Sequence, residues 1–271
     1  MPVLTARSAG IRSRLPHRST NAHNEITTLN VVTLTDVVKS YGKHLAVSDL
    51  SLAVPAASLY GFIGPNGSGK TTTIRMILRI IEQDRGTIEV LGNLSASAAN
   101  DRVGYLPEER GLYKKFSVHR MLMYYASLKG MSRHDSKAAI ATWLERFDLG
   151  AWEHKKIETL SKGMTQKVQF IASIIARPDL LILDEPFSGL DPVNTEGIRS
   201  TILDLQKQGT TIFFSTHDMA VAEKMCDFVF MIYKGEKVLD GTLDEITSTY
   251  GQDTIKLRWS GRTDEVAALP G

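Results

Sequence analysis

The chain has 271 residues, 42% of them hydrophobic and 23% charged, with 32 Lys and Arg against 30 Asp and Glu. That length holds one large domain, or one domain with a small appendage, and the composition excludes disorder, collagen and coiled coil as global descriptions. A formal net charge of +2 provides no basic field for nucleic acid and no acidic field for cationic partners, so charge names no partner.

Residues 1–27 carry Arg7, Arg12, Arg14 and Arg18 without hydrophobic periodicity, and a disordered basic tail is expected there. The longest apolar runs, 170–176 and 180–183, fall far short of the roughly 18 residues that cross a bilayer. Cys226 is the single cysteine, which permits no internal disulfide. It stands where a helical pattern runs into a strand and reads as a buried structural thiol.

From Leu29 the chain gives β-type runs at 30–38, 44–54 and 58–63, then glycine-rich punctuation, then a helix with Ile74, Ile77, Leu78 and Ile81 on one face. The same spacing recurs at Val118/Met121/Leu122/Tyr125, Ile140/Trp143/Leu144/Phe147, Val168/Ile171/Ala172/Ile175 and Ile198/Thr201/Ile202/Leu205. Near-continuous apolar runs at 180–183, 211–214 and 228–233 have the pattern of strands buried on both faces. Together these predict an α/β protein with a mainly parallel sheet. Asp191-Pro192 reads as a helix N-cap with proline in the first turn, and Thr242 with Glu245 as a capping box.

The run 58–63 leads into Gly64-Pro65-Asn66-Gly67-Ser68-Gly69-Lys70-Thr71, which fits G-x-x-x-x-G-K-[ST] in its strand–loop–helix setting. Backbone N–H groups of such a loop point at phosphate oxygens, Lys70 reaches the β- and γ-phosphates, and the Thr71 hydroxyl is placed to ligate Mg²⁺. The apolar run 180–183 ends in Asp184-Glu185. In a P-loop enzyme the first acid acts on Mg²⁺ and the second orients or deprotonates the attacking water.

Leu160-Ser161-Lys162-Gly163-Met164 resembles the LSGGQ signature of ATP-binding cassette (ABC) ATPases. Tyr41, Ser188-Gly189-Leu190-Asp191 and His217 stand where that family has its A-loop, D-loop and H-loop, and the resemblance covers residues 28–250. It implies a P-loop NTPase (RecA-like) core with an antiparallel β-subdomain and an inserted α-helical subdomain at about residues 112–165. It also implies ATP held by Tyr41 and by the segment from Gly64 to Thr72, with His217 at the γ-phosphate. Ser161, Gly163 and Asp191 would act on a nucleotide held by a second subunit, in a homo- or heterodimer closed around two ATP.

Two motifs depart from the family pattern. Glu108 stands where a glutamine is usual, bringing a carboxylate near Mg²⁺ or the water with Arg110 as counter-ion, and Lys162 and Met164 replace Gly and Gln of the signature. The string 106–113 with Ser161-Lys162-Gly163 is similar to the exporter branch of sodium-extrusion and drug-resistance ATPase subunits. The resemblance thus implies an ATPase subunit, peripheral on the cytoplasmic face of the membrane, driving a separate permease, with no nucleic acid expected. A soluble non-transport ABC ATPase, a silent nucleotide sensor and an importer subunit stand as the alternatives. Met123 and Tyr124, off the Val118 stripe, with Tyr113 and Phe116 upstream, are read as a permease-docking groove or as ordinary subdomain core. Residues 251–271 resemble the start of a C-terminal appendage, a strand at 254–260 followed by a helix at 264–269.

Overall fold

The computed structural model describes residues 29–92, 101–108 and 111–250. The expected tail at 1–27, the appendage at 251–271 and Arg110 lie outside these residues.

Strands β1 (Asn30–Tyr41), β2 (His44–Pro55) and β4 (Arg85–Val90) form a three-stranded antiparallel sheet in the order β2-β1-β4. Strands β3 (Leu59–Ile63), β5 (Val103–Leu106), β6 (Leu180–Asp184), β7 (Thr211–Thr216), β8 (Phe228–Tyr233) and β9 (Glu236–Thr242) form the second sheet, in the order β5-β6-β7-β3-β8-β9. All its neighbours pair in parallel except β9, which runs antiparallel to β8.

The apolar runs of the central strands split by parity, because successive side chains point to opposite faces. Leu59 and Ile63, Leu181 and Leu183, and Ile212 and Phe214 join one core; Tyr60 and Phe62, Leu180 and Ile182, and Phe213 join the other. The first core packs on helices α2 (Val118–Leu128), α3 (Arg133–Arg146), α4 (Lys162–Ile174), α5 (Pro192–Lys207) and α6 (Met219–Met225). The second packs on α1 (Lys70–Ile77) and the antiparallel sheet. Each predicted helical stripe faces a core, Val118, Met121, Leu122, Ile140 and Ile202 being fully buried.

Helix α1 ends at Ile77, a turn earlier than the apolar spacing predicts. Arg79 adopts φ 56°, the Arg79 N–H donates to Met76 O, and the Ile80 N–H donates to Arg75 O. This pair of bonds closes a helix through a left-handed residue. Ile81 still packs against the core from outside the helix. Strands β4, β5 and β9 were not signalled by apolar runs; β4 and β9 are mostly exposed. Asp191 caps α5 by accepting from the Asn194 N–H, and Thr242 and Glu245 exchange bonds at the start of α7 (Leu243–Tyr250).

Candidate active site

Four neighbouring parallel strands deliver the predicted site residues from their C-terminal ends, where open α/β sheets bind ligands. The P-loop follows β3, Glu108 follows β5, Glu185 follows β6 and His217 follows β7. Register fixes their mutual heights, with Ile63 opposite Thr216, Leu106 opposite Leu183 and Asp184 opposite Ser215.

Glycine is required in the P-loop by conformation and by space. Gly69 has φ 109°, and a side chain there would come within 2.6 Å of the Ala46 carbonyl oxygen. Lys70 Nζ donates to Gly64 O at 2.6 Å and to Pro65 O at 3.2 Å, and lies 3.9 Å from Glu185 Oε1. Burial pulls the Lys70 ammonium below its usual pKa, opposed by the nearby carboxylates of Glu185, Asp184 and Glu108. Ser68 is buried, and its hydroxyl has no hydrogen-bond partner among the described residues.

Asp184 is 1% exposed. Its Oδ1 accepts from the Ser215 hydroxyl, while its Oδ2 is buried without a hydrogen-bond partner among the described residues. A buried carboxylate oxygen with no donor suits a cation. Among the described residues no three His, Cys, Asp or Glu side chains converge on one point. A divalent ion here would therefore take a hydroxyl such as that of Thr71 and oxygens from the nucleotide, as Mg²⁺ does in phosphate sites. The residues present fit that ion.

Glu185 is the first residue past β6 and is held at φ 50°, a conformation that costs an L-residue free energy. Its N–H is shared between Ser215 O at 3.3 Å and Ser215 Oγ at 3.2 Å. Its Oε1 lies 2.8 Å from His217 Nδ1, and since an ionised carboxylate only accepts, His217 donates there. His217 does not cap α6; Asp218 does, accepting from the Ala220 and Val221 N–H groups.

A cavity of about 370 Å³ opens over the P-loop. Tyr41, His44 and Ala46 of the first hairpin form one wall, and Asn66, Gly67 and Gly69 form the floor with Lys70, Thr71 and Thr72. Glu108 and Glu185 complete the lining. Tyr41 ends β1 and is half-exposed, presenting a ring to the cavity. His44 and Ala46 went unmarked in the sequence; their signal is the cross-strand pairing of Tyr41 with His44. Gly64, Pro65 and His217 line an adjacent apolar cavity of about 590 Å³, which also reaches Asn66.

Ser161, Gly163 and Asp191 are not among the residues that line either cavity. Gly163 and Asp191 lie near each other elsewhere. Ser161 caps α4, and a Cβ on Gly163 would come within 2.7 Å of Asn194 Nδ2 and 3.9 Å of Asp191 Oδ2. Among the off-stripe residues of α2, Met123 packs against the core. Tyr124 is partly exposed, edge-on to the exposed Tyr113, whose ring stacks on Phe116. A further cavity of about 380 Å³ lies next to this patch, between Pro107, Leu112, Tyr125, Leu128 and Gln169.

A match to the ABC transporter family spans residues 47–188. The chain is 43% identical over 227 residues to an uncharacterized ABC transporter ATP-binding protein of Bacillus subtilis (strain 168), YhaQ, covering 84% of this chain and 76% of that one. It is 35% identical over 246 residues to the Nod factor export ATP-binding protein I of Burkholderia orbicola (strain AU 1054), covering 86% and 79%. A solved ATP-binding subunit of an ABC transporter superposes with a TM-score of 0.77 at 29% identity, covering 82% of this chain and 93% of that one. With its P-loop, acidic strand end and signature helix on this fold, the chain belongs to the ATP-binding proteins of the ABC transporter family.

Proposed function

We propose that this chain hydrolyses ATP as one of two nucleotide-binding subunits that drive a separate membrane permease for export, working on the cytoplasmic face of the membrane. The observation that carries the reading is Glu185 Oε1, set between His217 Nδ1 at 2.8 Å and Lys70 Nζ at 3.9 Å beside the P-loop cavity. A carboxylate so placed takes a proton from water, and His217 keeps it oriented. Lys70 and the loop N–H groups hold the phosphates, and Tyr41 offers its ring to the base.

Mg²⁺, when bound, neutralises charge on the phosphates. Asp184 Oδ2, the Thr71 hydroxyl and Glu108 are the groups of this chain suited to hold it. Glu108 contributes a full negative charge where an amide would be neutral.

Two further observations support the wider assignment. Ser161, Gly163 and Asp191 do not line this chain's P-loop cavity, which suits action on a second subunit's nucleotide. The exposed aromatics Tyr113 and Tyr124 beside an apolar cavity suit a permease segment. In this reading residues 28–250 are the ATPase domain and about 112–165 its helical part. Export is favoured by the relative named for Nod factor export.

Glu185→Gln is expected to bind ATP yet lose most turnover; unchanged turnover would sink the base assignment. The same variant, tagged and held with ATP, should co-purify with a multi-span membrane protein. Recovery of ribosomes or DNA instead would favour the soluble, non-transport reading.

A further inference from the structure

Glu185 opens a tight turn whose far end is tied to the signature helix. The Ser188 N–H donates to Glu185 O at 3.2 Å, and the Phe187 ring meets Phe214 edge-on at 6.3 Å. At the end of this turn the Ser188 carbonyl accepts from Gln166 Nε2, at 3.2 Å, across 22 residues of sequence. Gln166 lies on the second turn of α4, behind Ser161, and is 5% exposed. Its orientation is set by chemistry, because a carbonyl only accepts and so the amide nitrogen must face Ser188. That leaves Oε1 buried with no donor among the described residues. A half-satisfied amide in a core is less stable than an apolar side chain of the same length, so packing does not account for glutamine here. The bond to Ser188 does.

A left-handed glutamate persists only where its surroundings over-determine it. Ser215 fixes the start of the turn, through the Glu185 N–H, and Gln166 fixes its end. Lys162 lies over the next residue, its Nζ within 2.9 Å of where a Cβ on Gly189 would stand. We infer that Gln166 is a positioning residue: through the Ser188 carbonyl it holds the turn that aims Glu185, so the helix carrying Ser161 sets the alignment of the catalytic carboxylate in its own chain. This rests on Glu185 being the base proposed above.

The test is steady-state ATP hydrolysis by the full chain carrying Gln166→Met, which keeps the length and removes the donor, and separately Gln166→Glu. Misplacing a reacting group by about 1 Å costs on the order of 100-fold in rate, so Gln166→Met should lower kcat by about 10-fold or more. Its KM for ATP and its affinity for a fluorescent ATP analogue should stay within about twofold, because the P-loop is untouched. In Gln166→Glu the ionised carboxylate repels the Ser188 carbonyl, whereas the protonated acid donates to it. Its kcat relative to wild type should therefore rise as pH is lowered from about 8 to about 6. Should Gln166→Met misfold, the Gln166→Glu profile decides the matter alone. Wild-type kcat in either folded variant, a KM rise equal to the kcat loss, or a flat relative pH profile overturns the inference. Glu185→Gln separates the two layers: if it abolishes turnover while Gln166→Met does not, only the role of Gln166 falls, and if it leaves turnover intact, the base assignment falls first.

Discussion

His217 Nδ1 stands 2.8 Å from Glu185 Oε1, although the two residues leave different strands, β7 and β6. The contact fixes one carboxylate oxygen. His217→Ala should remove this restraint on the carboxylate, lowering kcat by about 100-fold with nucleotide affinity little changed. Phosphate-release kinetics and titration with a fluorescent nucleotide check this, and full turnover would show that His217 has no part in aligning Glu185.

Ser215 serves both acids, its hydroxyl donating to Asp184 and accepting from the Glu185 N–H. Ser215→Ala leaves Asp184 buried with neither oxygen bonded to a protein donor. A stability loss of about 1–3 kcal/mol is expected from denaturant unfolding. A variant as stable as wild type would mean that Asp184 finds another donor.

Tyr60 donates from its hydroxyl to Asp240 Oδ1 at 3.0 Å, between β3 and β9. Burial raises the Asp240 pKa, more than the bond from Tyr60 and the charge of Lys237 lower it. The native state thus holds this proton more tightly than the unfolded chain, and the stabilisation is lost as pH rises through the native pKa. Asp240→Asn keeps an acceptor for Tyr60 and removes the titration. It should melt higher than wild type near neutral pH and lose that advantage in acid; a constant difference across the pH range would contradict the assignment.

Gly61, at the centre of β3, faces Cys226, and an added Cβ would fall 2.5 Å from its Sγ. Gly61→Ala should destabilise by about 1–3 kcal/mol through overpacking. Adding Cys226→Ala makes room, so the double variant should lose less than the sum of the two single losses. Additive losses in thermal unfolding would show that the strain lies elsewhere. Burial also pushes the Cys226 thiol up to about 12, so it should resist alkylation in the native protein.

What the sequence displayed was whatever is local. A P-loop is one strand, one loop and one helix start, and strands buried on both faces announce themselves as apolar runs. The left-handed exit of α1 at Arg79 was hidden, because glycine usually marks such a position and arginine does not. Strand β9 was hidden because an edge strand needs little apolar surface, and it opens on the charged pair Glu236 and Lys237. The contacts that aim the site join residues far apart in the chain, Ser215 with Asp184 and Gln166 with Ser188, and no short motif encodes them.

The catalytic sheet is unequally braced. Strand β3, beneath the P-loop, is gripped by β7 on one side and β8 on the other, whereas β5 has four residues and β6 as its one partner. Glu108 is thus mounted on the sheet's outermost, shortest parallel strand, and Lys70 on its keel. The phosphate cradle is therefore anchored in the interior of the sheet and Glu108 at its margin.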